Sequence, residues 1–261
     1  MSARRIAAGV LAPAALVLAA SPAASVGAHD APLARAVSSA PVVQSMVVGV
    51  GGAILSPARQ LRASATTVAV GRRRCAVAGA TPLAVLAALR RAGGPSFALH
   101  DYGRCGRSTA SSGQLFVSRL GGEANRAQDG WEYKVDGEAG ATGAADPSGP
   151  RGDGRRLRAG ARVLWFWCQA QGAGCQRSLE VLTPSATVAP GASVVVTVRG
   201  RDNEGRASAV GGAIVTLGSD FASTDASGSA TLIAPAMPGA HALGATRSGL
   251  VPSFPGTIVV R

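Results

Sequence analysis

Apolar residues in this chain come in short runs broken by glycine and proline. Residues 42–50 are rich in β-branched side chains and run into Gly51-Gly52, and residues 66–70 form a second β-rich run. Together they predict a hairpin with an irregular loop around Ser56-Pro57. Thr81-Pro82 then opens the clearest helix: threonine suits the N-cap, proline the first helical position, and Leu83, Leu86, Leu89 and Ala92 fall on or near one face before Gly93-Gly94 stops it. Residues 97–99 and 115–117 predict further short strands around a polar loop. Residues 130–137 alternate large with polar side chains and end in Asp136-Gly137, the pattern of a half-buried strand entering a tight hairpin. Residues 160–168 read as another strand, and the two segments hold all three tryptophans, Trp131, Trp165 and Trp167. They predict one small aromatic core. Residues 137–154, mostly Gly, Ala, Asp and Pro, predict a long mobile excursion between these strands.

Two strands, a helix and several strands in that order predict an α+β, β-grasp-like domain: a mixed sheet crossed by one main helix. From residue 179 the texture changes to short strands with turn residues at regular spacing, the signature of an all-β sandwich of Ig-like type. The expected organisation is a signal peptide over residues 1–28, a flexible lead-in over 29–41, a β-grasp-like domain over 42–177 and an Ig-like β-sandwich over 178–261. The leader has a basic start at Arg4-Arg5, an apolar run over residues 6–20 and a small-residue region ending at Ala28, with alternative cleavage sites near Ala24. The apolar run is shorter than the roughly 20 residues that span a bilayer, and Pro13 interrupts it. No stable membrane span is expected after processing, and the protein is expected to be secreted and associated with the cell wall.

Composition sharpens this picture. Only 4% of the 261 residues are aromatic, while 35 Gly and 15 Pro favour many turns over long helices. Four cysteines in an oxidising compartment predict two disulfides. Cys168 and Cys175 flank a short loop after a strand and are expected to pair, which leaves Cys75 with Cys105. No Cys-x-x-Cys is present and His29, His100 and His241 lie far from any ligand spacing, so no metal or other cofactor is expected. The net charge of +12 is unevenly placed: residues 33–177 carry 18 Arg and Lys134 against 8 acids, whereas residues 178–261 are balanced. Arg155, Arg156 and Arg158 form one of the densest basic clusters and are candidate anion contacts. The partners expected for such a face are an anionic envelope polymer or glycan, or a small soluble ligand. Nucleic acid is not expected, because the arginines lack interleaved aromatics.

Candidate chemistry is sparse. His100 beside Asp101 is the one histidine–acid neighbour of note in the first domain, but adjacent strand side chains point to opposite faces. No Gly-x-Ser-x-Gly elbow occurs, so an enzyme is not expected. Glu132, Lys134 and Asp136 read as exposed charges near a hairpin end. Trp131, Tyr133 and Trp165 are candidates for a stacking platform, with core filling as the competing role.

The segment from Val42 to Cys168 resembles the transcobalamin-like C-terminal domain family of soluble-ligand-binding β-grasp modules. The likeness rests on Gly-Trp-x-Tyr-x-Val-Asx-Gly at residues 130–137 and on Gly160, Val163 and Trp165. Asp136 stands where Asn is common, and Ala161 where an acidic residue is usual. Thr224-Asp225-Ala226-Ser227-Gly228 before alternating apolar residues resembles bacterial Ig-like and carboxypeptidase-regulatory-like surface domains. These resemblances imply a non-enzymatic envelope protein in which a basic module recognises a ligand and an Ig-like spacer presents it. The alternative they imply is a carrier or capture protein for a small, corrinoid-like molecule.

Overall fold

The computed structural model describes residues 39–170, 172 and 174–261. The expected signal peptide and most of the lead-in lie outside the described residues. The first half opens with an antiparallel pair, β1 (Val42–Val48) and β2 (Ile54–Arg62), then a second pair, β3 (Thr66–Val70) and β4 (Arg73–Val77). The expected pairing of residues 42–50 with 66–70 is thus replaced by two local hairpins. Pro57 hid the intervening strand, yet β2 lies at the sheet edge, where a proline without an N–H is tolerated.

Helix α1 (Pro82–Arg91) follows. The Thr81 Oγ1 accepts from the Ala84 amide at 3.3 Å, and Leu83, Leu86 and Leu89 are buried. A three-stranded sheet of β5 (Phe97–Asp101), β6 (Leu115–Leu120) and β7 (Glu123–Ala124) leads to β8 (Gly130–Val135), β9 (Glu138–Ala139) and β10 (Arg162–Cys168). The main sheet runs β2-β1-β10-β8-β9, with β10 parallel to β1 and antiparallel to β8. Trp131 stands opposite Trp167 and Tyr133 opposite Trp165. The disulfide Cys75–Cys105 ties β4 to the loop after β5, and Cys168–Cys175 closes the exit of β10.

The glycine-rich stretch 137–154 is folded against the module rather than mobile. The Ala144 carbonyl accepts from the Leu83 amide at 2.8 Å, the Pro150 carbonyl from Ala141 at 2.8 Å, and Ala145 is buried. Its glycines serve close approach. A Cβ on Gly143 would collide with the Gly113 carbonyl oxygen, and one on Gly149 with that of Arg155.

The second half is a sandwich of two sheets. Its strands are β11 (Ser178–Leu182), β12 (Thr187–Val188), β13 (Ser193–Arg201), β14 (Ala207–Ala209), β15 (Ile214–Leu217), β16 (Asp220–Ser223), β17 (Ser229–Ile233), β18 (Gly239–Thr246) and β19 (Gly256–Val260). One sheet runs β11-β13-β14 with β17 also on β13, the other β12-β19-β18-β15-β16. Alternate valines of β13, Val194, Val196 and Val198, meet Val215, Leu217, Leu243 and Ile258 in a shared core. The Thr-Asp-Ala-Ser-Gly segment owes its composition to hydrogen bonding. Thr224 Oγ1 donates to the Val210 carbonyl at 2.6 Å and accepts from the Ala213 amide at 2.9 Å, while Asp225 accepts from the Ser227 and Ser229 amides. The Ser227 hydroxyl also donates to Asp225 at 2.6 Å, and this bond foremost, with the amides, holds the Asp225 carboxyl below its usual pKa.

Residues 39–261 form one compact unit, and the two halves meet through the main sheet. One face of that sheet packs Trp131, Tyr133, Val163, Trp165 and Trp167 toward α1. The other puts Met46, Val48, Leu164 and Phe166 against Val251 and Phe254 of the second half. Both faces are dry.

Candidate functional site

Lys134 is the sole lysine among 26 basic residues, and its side chain is fully buried. It lies on the β8 face that turns away from α1, alternating with Trp131 and Tyr133, and so enters the seam between the two halves. Its ammonium donates to the Arg201 carbonyl at 2.9 Å, the Asp202 carbonyl at 3.0 Å and Ser178 Oγ at 3.3 Å. The Phe166 ring lies 5.6 Å away. The reading of Lys134 as an exposed hairpin charge is therefore corrected: the second half covers its strand face and supplies three acceptors, which fits an ammonium with three donors. The hairpin end itself presses on the same neighbour, since a Cβ on Gly137 would run into the Arg201 side chain.

Burial pulls the Lys134 pKa down from 10.5 to about 8, against the opposing pull of Asp202 and Glu204. The unfolded chain therefore binds more protons than the folded one between those values, so stability rises with pH across that interval, by on the order of 3 kcal/mol. Tyr133 acts in the opposite sense. Burial raises its phenol from 10.0 to about 12, so above pH 10 the unfolded state loses the proton first and stability falls. Denaturant midpoints measured from pH 7 to 12 are expected to peak near pH 10, and the rising limb is expected to vanish in Lys134→Met. A flat profile below pH 10 in the parent protein would refute this assignment.

The stacking platform expected of Trp131, Tyr133 and Trp165 is not at the surface. The three are 1%, 5% and 1% exposed. They pack edge-on and tilted, Trp131 to Trp167 at 5.8 Å and Tyr133 to Trp165 at 5.5 Å. The reason is geometric: period-2 alternation sends all of them to the face that α1 covers. Trp131 Nε1 donates to the Glu123 carbonyl at 2.9 Å and the Tyr133 hydroxyl to that of Thr142 at 2.8 Å, while the Trp165 and Trp167 indoles have no partner among the described residues.

Arg155, Arg156 and Arg158 are exposed, around a recess of about 240 Å³. Arg155 faces Asp153 at 3.8 Å and Arg156 Nε donates to the Pro147 carbonyl at 2.7 Å, so two of the three are partly engaged. A second basic surface carries more unopposed charge. Between Asp30 and Asp101 the sequence has no carboxylate at all, and the seven described arginines of that stretch are exposed. Arg59 Nη1 donates to the Ala92 carbonyl at 3.0 Å, Arg90 Nη1 to Gly94 at 3.2 Å and Arg91 Nη1 to Thr66 Oγ1 at 2.9 Å. These contacts gather the guanidinium groups at the C-terminal end of α1 beside edge strand β2, where they also complement the helix dipole. Arg59, Arg62, Arg90 and Arg91 have no carboxylate partner among the described residues.

His100 and Asp101 point apart. Asp101 turns inward, accepts from the Gly103 and Cys105 amides at 2.9 and 3.0 Å and pairs with Arg73 at 2.8 Å; the two amides and Arg73 keep its carboxyl ionised below the usual range against the desolvation that opposes them. His100 turns outward beside Tyr102 and Phe116. Sequence reading missed this exposed aromatic group, because cross-strand pairing of β5 with β6 is what brings position 116 to position 100.

No protein-family model matches the chain, and no curated protein matches it. Among solved structures the chain is similar to the D00-D0 domain of Intimin. The identity is 14%, the TM-score 0.26, and the alignment covers 56% of this chain and 90% of that one. A likeness of that size assigns neither fold nor activity.

Proposed function

We propose that the protein is a non-enzymatic binding protein of the cell envelope, working outside the cytoplasm. Its first half acts as a β-grasp-like module that holds an anionic polymer, and its second as an Ig-like spacer that presents the module. The observation that carries this reading is the run of seven exposed arginines without a single intervening carboxylate, three of which, Arg59, Arg90 and Arg91, are held at or beside the end of α1. Several features support the rest. The first strand of the main sheet lies parallel to the last with one helix across it, the arrangement a β-grasp requires. Two cysteine pairs suit an oxidising compartment. No helix of the described residues is long and apolar enough to cross a membrane. The divergence of His100 from Asp101 leaves that pair without a shared substrate position.

The test is sedimentation with polyphosphate and with a uronic-acid polysaccharide at rising salt. Affinity is expected to fall about tenfold between roughly 50 and 300 mM salt, and the variant R59Q/R62Q/R90Q/R91Q to bind about tenfold more weakly. Binding indifferent to salt, or equal binding by the variant, would overturn the proposal. A second reading, a carrier of a small corrinoid-like molecule, draws on the cleft of about 240 Å³ where the halves meet, lined by Arg162, Leu164, Glu180, Arg201 and Phe254. That volume is below the roughly 300 Å³ at the low end of ligand pockets, which ranks this reading second. A rise in melting temperature with saturating cobalamin would reverse the order.

A further inference from the structure

Away from the arginine surface, a groove of about 440 Å³ opens on the outer face of the β5–β6–β7 sheet. One wall is aromatic. His100 lies directly across from Phe116 in the strand register, and Tyr102 follows two residues after His100. The ring centroids are 4.3 Å apart for His100 and Tyr102 and 6.2 Å for Tyr102 and Phe116, with the planes tilted by 56° and 59°. Tyr102 is 70% exposed and Phe116 38%. The inner face of the same sheet is already occupied, Leu115, Val117 and Leu120 being buried in the core, and among the described residues none covers Tyr102 or Phe116 on the outer face. The other wall is acidic, with Asp129 and Glu132. Among the described residues no arginine or lysine lines the groove, in a chain whose basic residues outnumber its acids by 26 to 14. Asp129 Oδ1 accepts from the Ala170 amide at 2.9 Å, whereas Glu132 has no hydrogen-bond or ion-pair partner among the described residues. Desolvation raises the pKa of that carboxyl.

We propose that this groove binds an organic ammonium group, with Tyr102 and Phe116 supplying ring faces and Asp129 and Glu132 supplying negative charge. Aromatic faces carry negative potential and attract cations within about 6 Å, most effectively when the cation is weakly hydrated and several rings surround it. Rings tilted by more than 50° to one another do not offer a single flat platform. A pyranose ring would stack best on one flat face. The two carboxylates add the long-range attraction that the rest of this basic surface opposes.

Calorimetric titration of the full chain with choline tests the proposal, with the uncharged alcohol in which carbon replaces the nitrogen as one control and methyl β-glucoside as the other. Saturable choline binding is expected, with the alcohol at least about tenfold weaker. Tyr102→Ala and Glu132→Gln are each expected to weaken choline about tenfold while leaving the melting temperature unchanged, since the tyrosine is largely exposed and the carboxyl bonds to nothing in the fold. Parallel arms with phosphatidylcholine vesicles and a trimethyllysine peptide separate a lipid headgroup from a peptide side chain as the natural source. Equal affinity for the alcohol, tighter binding of the glucoside, or no saturation by choline would overturn the assignment. The arginine variant is expected to bind choline normally, so this result stands or falls apart from the polymer-binding proposal.

Discussion

Replacing Lys134 by alanine is expected to destabilise the folded chain by roughly 3–5 kcal/mol, the range seen when one partner of a buried charged group is removed. The truncation leaves the Arg201 and Asp202 carbonyls and the Ser178 hydroxyl facing an apolar void beside Phe166, so lost hydrogen bonds and a cavity add together. Because all three acceptors belong to the second half, the expected signature is a loss of cooperativity, with two denaturant transitions in place of one. Lys134→Met keeps the stem and removes the desolvated charge, so its loss should be smaller, about 1–3 kcal/mol. Lysine chemistry offers an independent readout. Native protein treated with an amine-reactive acyl ester should be modified at its α-amino group alone, and a second adduct should appear only as the two halves part. Rapid modification of Lys134 in native buffer, or a stability change in Lys134→Ala below about 0.5 kcal/mol, would show that the seam is open.

Trp165→Ala is expected to cost about 3–5 kcal/mol, because the indole is buried in the core shared with α1 and its removal leaves a large cavity. Trp165→Phe should cost far less, about 1 kcal/mol: the ring face is retained, and the N–H that disappears had no partner among the described residues. The same pair of variants separates a core role from a stacking role. If Trp165 is core, Trp165→Phe binds anionic polymer within about twofold of the parent, because the arginines that carry the charge are untouched. Denaturation and polymer binding measured on one preparation decide the matter, and a stable Trp165→Ala protein that has lost binding would contradict the structure.

The elements legible in the sequence are those whose signal is local. Thr81-Pro82 and Gly93-Gly94 bracket α1 closely, because caps and breakers act within one turn. The Asp136-Gly137 turn is visible for the same reason, with Asp136 and Gly137 both at positive φ. Strand β2 was obscured by Pro57, whose cost depends on whether a neighbouring strand needs its N–H. The order of the stretch 137–154 is not legible in its composition, because glycine has two uses, freedom and close approach, and composition does not tell them apart. Among candidate site residues, Arg155, Arg156 and Arg158 lie at the surface as charge alone requires, whereas Trp131, Tyr133 and Trp165 lie inside.

Period-2 alternation established by itself that Trp131 and Tyr133 share one face of a strand while Glu132 and Lys134 share the other, and composition established that the positive charge belongs to the first half. Which face is covered, and by what, is a property of packing. The helix closes over the indoles, the sandwich closes over Lys134, and the outer face of the β5–β6–β7 sheet stays open to leave Tyr102 and Phe116 in water. Alternation divides residues into two sets, but burial depends on surfaces contributed from elsewhere in the chain, and those contacts exist only once the chain has folded.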